Sequence, residues 1–323
     1  MTTTNEGGGT AAAVSGPAEK APLRAPLGVL TTATATHGTG RDGDIPLPRL
    51  PGFVESAFSP LVYEVAARCL TERPDGGTSR SSEAESGGGD RTAVALASLT
   101  GDTTTADLAS RRVVAGRVHN PLLFMQATAN SVLGHISREF GITGQMFSLS
   151  TLDDPVTELL AMAGLLLEDP ELDQVLVLGV ELGGGERVAA VHRELAAARR
   201  DPAPVRPAPD LPESAALPGS AALAAAVLLG RPGPGVPVTI GSTETYDGGR
   251  PAACPRPGSV QGLFDLAAAH RRLLRDGGTH VLVTDPRAPA FRLDTGRRPD
   301  GPEGNGPAED EPQGSETETH AHQ

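Results

Sequence analysis

The chain has 323 residues, with 40 acidic residues against 27 Lys and Arg, two cysteines, no tryptophan and 3% aromatic residues. A formal net charge of −13 without a basic cluster gives no reason to expect nucleic acid as a partner, and no run is long and apolar enough to cross a bilayer. Cys69 and Cys254 lie in unlike contexts, which indicates neither a disulfide framework nor a metal site and favours the cytoplasm.

Residues 1–26 are rich in Thr, Gly and Ala, lack both the basic start and the apolar run of a signal peptide, and read as a disordered tail. Leu27 to Ala35 reads as the first strand, and His37-Gly38-Thr39-Gly40 after it as a turn. Ser59 to Leu70 has helical spacing, with Leu61, Val62, Val65, Ala66 and Cys69 inward, Ser59 as N-cap and Pro60 at the first position. Arg73 to Asp90 reads as a mobile Gly/Ser loop, Thr92 to Leu99 as a buried strand, and Gly101 to Val114 as a short helix.

Asn120 to Glu181 is the most strongly patterned stretch. Ala129, Leu133, Ile136 and Phe140 recur at helical spacing, which predicts a helix over Gln126 to Phe140 stopped by Gly141. Met146 to Leu149 reads as a short strand, followed by a sharp corner at Ser150 to Asp154. Pro155 then opens a helix capped by Asp154 or Asp153, with Val156, Leu159, Leu160, Ala163 and Leu167 on one face. Leu172 to Leu182 is apolar almost throughout, as a strand covered on both faces should be.

Gly183 to Gly185 is a loop rather than a phosphate cradle, since GxxxxGK[ST] occurs nowhere. Arg187 to Arg200 reads as a helix with Val188, Val191 and Leu195 on one face, and the Pro-rich run 201–218 as a linker. Gly219 to Leu229 and Val236 to Tyr246 read as strands, and Gly258 to Arg275 as a helix carrying Val260, Leu263, Phe264, Ala267 and Leu274. His280 to Thr284 and Ala290 to Leu293 close the pattern as a strand pair. Residues 294–323 are rich in Pro, Gly and acids, supply about half of the net charge, and read as a disordered acidic tail.

The run from Pro121 to Gly144 resembles the β-ketoacyl synthase family, in which an NxxxGHI helix and a Gly turn lead to a strand ending in Thr-Ala-Cys. The residues that carry it are Asn130, Gly134, His135, Ile136, Phe140, Gly141 and Gly144, with Thr151 at the family's Thr. The family's Ala then falls on Leu152 and its catalytic Cys on Asp153. The likeness is strong over Asn120 to Glu181 and thin over the rest of Leu27 to Leu293. It implies an α/β fold of the thiolase-like, layered α-β-α-β-α kind, made of two pseudo-repeated halves, 27–200 and a shortened 219–293.

The family's second half supplies two His residues, one of them in an HGTGT loop, and a Gly-rich loop. In this chain HGTG follows the first strand instead, Pro255 to Gly258 precede the long helix without a His, and Thr284-Asp285-Pro286 stands where the Gly-rich loop begins. Decarboxylative condensation needs a thiolate to hold the acyl chain and two neutral donors for the enolate oxygen. Asp153 replaces the first, and neither His is in place.

Such a chain is similar to the chain length factor subunits of type II polyketide synthases. That likeness implies a heterodimer with an active ketosynthase, an acyl carrier protein bearing the growing polyketide or polyene, no cofactor and no catalytic residue. It further implies that Leu122, Leu123, Phe124, Met125 and Gln126, in the loop before the helix, reach toward the partner's acyl tunnel, and that Gln145, Phe147 and Leu149 lie on the strand that pairs across the dimer. Two alternatives stay open: a scaffolding or regulatory homodimer, and an acyl-transfer or decarboxylating enzyme with a displaced nucleophile. For the second, Ser150 and Thr151 are weighed against hydroxyls serving the helix N-terminus, His135 against a packing role, and Cys254 against an inert thiol unless Arg256 activates it.

Overall fold

A computed structural model describes residues 23–72, 89–117, 121–152, 154–183, 185–198, 221–243, 258–284 and 290–296. Expectations on the two tails beyond 23 and 296, the loop 73–88, the linker 201–218, Asp153 and Cys254 lie outside them. Among the described residues eight strands form one sheet, flanked by seven helices. In chain order the strands are β1 (Leu27–His37), β2 (Thr92–Ala97), β3 (Met146–Leu149), β4 (Gln174–Leu182), β5 (Ala222–Gly230), β6 (Val238–Thr243), β7 (Thr279–Leu282) and β8 (Ala290–Asp294). Their order across the sheet is β3-β2-β4-β5-β1-β6-β8-β7. β2 runs parallel to β3 and to β4, while β5 lies antiparallel between β4 and β1.

The central strands are buried on both faces because both are covered. α1 (Phe58–Thr71) and α4 (Ala129–Phe140) pack with Val94, Leu96, Leu176, Leu178, Ala224 and Leu228 on one face. α5 (Pro155–Leu166) and α7 (Gln261–Asp276) pack with Ala93, Ala95, Val175, Val177, Val227 and Leu229 on the other. The alternation along β2, β4 and β5 thus feeds two cores, which is why these strands read as nearly continuous apolar runs. The α/β fold is the one expected, and in the described residues it is one mixed sheet between two helical layers; β6 to β8 join that sheet through β1, with α7 laid back over it.

Several local expectations need correction. The helix predicted from Gln126 is two helices, α3 (Pro121–Ala127) and α4, because Thr128 is extended at φ −82° and ψ 121°. The segment before α4 is therefore helix rather than loop. α4 does end as expected, with Gly141 left-handed at φ 63°. Ser59 is not a cap: α1 starts at Phe58 after Ala57, and Ser56 Oγ accepts from the Phe58 N–H at 3.1 Å. In α6 (Glu186–Ala198) Val191 faces out while His192 is buried, and in α7 Leu274 faces out while Leu266 and Leu273 face the core. The rest of the expected faces stands: Val188 in α6, and Val260, Leu263 and Ala267 at α7, are buried, and Phe264 packs against the core.

Past the far end of α5, Arg231 ties down the connection to β4, donating to the carbonyls of the C-cap Leu167 and of Asp169 and Leu172 beyond it at 2.6 to 2.8 Å. Among the described residues no helix is long and apolar enough to cross a membrane.

Candidate functional site

The corner after β3 is built by hydrogen bonds to the loop after β2. The Ser98 N–H donates to the Leu149 carbonyl at 3.1 Å, and the Ser150 hydroxyl to the Leu99 carbonyl at 2.7 Å. Ser150 therefore serves this neighbouring loop, not the N-terminus of α5. Thr151 is buried and Leu152 exposed.

Asp154 is the cap of α5 with Pro155 following, as the residue types dictate. Its carboxylate accepts from the Val156 N–H at 3.3 Å, the Thr157 N–H at 3.1 Å, the Thr157 hydroxyl at 2.5 Å and the Thr284 hydroxyl at 2.5 Å. The group is buried, and burial raises its pKa against the opposing pull of the bonds from Thr157 and Thr284. Shut away and fully hydrogen-bonded, it is not available as a nucleophile.

Thr284 brings the second half of the chain onto this corner, and the start of α7 closes in beside it. A Cβ on Gly262 would lie 2.7 Å from Val156 Cγ2 and 2.9 Å from Thr284 Cγ2. Gly258, left-handed at φ +68°, is pressed against Leu99, where a Cβ would come within 2.6 Å of Leu99 Cβ. Neither role was signalled by the sequence, because Thr284 bonds to Asp154 130 positions earlier and Gly262 packs on Val156 106 positions earlier.

β3 is the end strand of the sheet. Val94 N–H bonds to the Gln145 carbonyl and Ser98 N–H to the Leu149 carbonyl, so Gln145, Phe147 and Leu149 direct their backbone groups to β2. By alternation Met146 and Ser148 direct theirs to the open side. Phe147 and Leu149 are half-buried against the α5 side of the sheet, and Gln145 is exposed.

α3 divides the remaining candidates. Leu123 is 3% exposed and belongs to the interior, whereas Leu122 at 60%, Phe124 at 77% and Met125 at 60% stand in solvent; Gln126 is half-buried. α2 (Thr103–Val114) lies against α3 and adds the exposed Val113 and Val114. An apolar side chain left out singly is ordinary; this group spans two touching helices.

The other polar candidates have structural roles. His135 meets the rings of Tyr63 and Phe53 edge-on, at centroid distances of 5.5 and 6.3 Å. His37 ends β1 with Nδ1 2.8 Å from the Ile45 carbonyl, and Asp44 ties the following turn through Thr36, Thr39 and the Gly40 N–H. Burial pushes the Cys69 thiol up to about 12, so it is an inert core residue. No group of three or more His, Cys, Asp or Glu among the described residues is gathered to hold a metal ion.

The chain is similar in structure to ketosynthase and thiolase-like proteins. A ketosynthase in complex with its chain length factor, from Xenorhabdus doucetiae, is matched at 15% identity with a TM-score of 0.48, over 84% of this chain and 100% of that one. The ishigamide ketosynthase/chain length factor is matched at 14% identity and a TM-score of 0.39, over 77% and 73% of the two chains. A monomeric SCP2-thiolase-like protein from Mycobacterium smegmatis is matched at 12% identity and 0.39, over 85% and 78%. No known family profile and no curated protein matches the sequence.

Proposed function

We propose that this chain is a non-catalytic ketosynthase-like subunit, a chain length factor, that pairs with an active ketosynthase and helps set the length of a polyketide or polyene built on an acyl carrier protein. The observation that carries the reading is the end strand β3, whose Met146 and Ser148 backbone groups face away from the sheet directly after an NxxxGHI-like helix. An open strand edge is a template for a second chain. The exposed Leu122, Phe124 and Met125 supply apolar surface of the kind that a partner covers.

The chemistry at the corner supports the non-catalytic half of the reading. Asp153 stands at the position of the resembling family's Cys, and a carboxylate there would form a mixed anhydride and repel a malonyl anion. Neighbouring Asp154 is engaged by four donors.

Co-expression with a full-length Thr-Ala-Cys ketosynthase, followed by size exclusion and mass measurement, tests the pairing. A stable one-to-one complex is expected. A homodimer that ignores the ketosynthase would favour a scaffolding or regulatory role, and a well-behaved monomer would remove the basis of both.

A further inference from the structure

We infer that Asp154 and Thr284 form a latch that seals the corner from within, pinning the second half of the chain over the first turn of α5. Two sets of observations converge. The Asp154 carboxylate takes the free N–H groups of Val156 and Thr157, the donors through which a helix N-terminus would otherwise receive an anion. The positive end of α5 is therefore filled by the chain's own carboxyl group.

Independently, the opening above that turn is packed shut. Thr284, 130 positions away in sequence, donates its hydroxyl to Asp154 Oδ2, and its methyl group touches the space beside Gly262. Gly262 lies so close to Val156 that no larger residue fits without displacement, and Val156, Val260 and Leu263 are fully buried there. Apolar packing holds α7 down without direction, whereas the Thr284 bond fixes where its N-terminal turn sits. The latch accounts for the hydroxyl at position 284.

The test uses the full-length chain with Cys254→Ser and a reporter thiol, Val156→Cys, under the latch. Leu152→Cys, on the exposed side of the corner, is the accessible control. Modification by a small aromatic disulfide is followed with Thr284 intact, with Thr284→Val, which keeps the shape and loses the hydroxyl, and with Thr284→Ser, which keeps the hydroxyl. The expected result is slow reaction of the buried thiol, about tenfold faster in Thr284→Val, as local opening of a packed element requires, and restored to slow in Thr284→Ser. Unchanged protection in Thr284→Val, or a buried thiol that reacts as fast as the Leu152→Cys control with Thr284 intact, overturns the latch. Should the reporter variant not fold, hydrogen exchange at the amides of Val156 and Thr157 in Thr284→Val and Thr284→Ser gives the same decision, faster exchange in the first alone being the result expected and equal exchange the contrary one.

Discussion

Met146 of β3 sits in parallel register with Val94 of β2, and no described strand pairs with Met146 on its other side. One side of β3 is thus anchored by a buried central strand, and the other is held ready in extended form at no further cost in backbone entropy. Sheet edges without charge, proline or a bulge are normally covered. Met146-Phe147-Ser148-Leu149 has none of these protections.

The split within α3 sets the first prediction. Phe124 is exposed, so Phe124→Ala should change the stability of the isolated chain by no more than about 0.5 kcal/mol, whereas Leu123→Ala, which empties a buried site, should cost roughly 3 kcal/mol. Thermal unfolding distinguishes the two. In the complex with a ketosynthase, Phe124→Ala should yield longer products by mass spectrometry, and products of unchanged length would assign α3 to contact rather than to measuring the chain.

Covalent chemistry provides a second. Loading the complex from an acyl carrier protein carrying a radiolabelled acyl group should label the ketosynthase alone. Stable label on this chain that disappears in Ser150→Ala or Cys254→Ala would instead point to a displaced nucleophile.

How much of this was legible without coordinates depended on whether the signal was local. Asp154 followed by Pro155 announced α5 because a side-chain cap and a proline at the first position act within one turn. The strands β2, β4 and β5 were recognisable because burial on both faces leaves few polar positions, Thr92, Gln174 and Glu181 at their ends. The break at Thr128 was not, since a β-branched residue is tolerated inside many helices and nothing local marks the extended backbone there. Leu274 was misplaced because Leu273 beside it is an equally apolar choice, and Val191 because a polar neighbour, His192, takes the buried position instead. The role of Thr284 at Asp154 had no sequence signal at all: a lone Thr after a strand says nothing of an acid 130 residues earlier.

His270 sets a pH dependence. It is buried under β1, with Nδ1 3.1 Å from Thr32 Oγ1, and burial lowers its pKa from 6.5 to about 4. Below pH 6.5 the unfolded chain takes up a proton that the folded chain refuses, so stability is lost as pH falls from 6.5 toward 4, by up to about 3 kcal/mol. Denaturant unfolding at pH 7 and pH 4.5 should show a smaller difference between the two pH values in His270→Gln than in the parent chain. An equal difference would assign the acid sensitivity to other groups.

The pairing through β3 is tested most directly by Ser148→Pro. The Ser148 N–H points away from β2, so proline there removes a donor only from the open edge and leaves the ladder to Val94 and Leu96 in place. With Ser148→Ala as the control, the affinity for the ketosynthase is measured by titration calorimetry on chains whose folding has been verified by circular dichroism. The account predicts that Ser148→Ala binds like the parent and that Ser148→Pro, equally folded, loses the complex. A folded Ser148→Pro chain that binds the ketosynthase with unchanged affinity would contradict it.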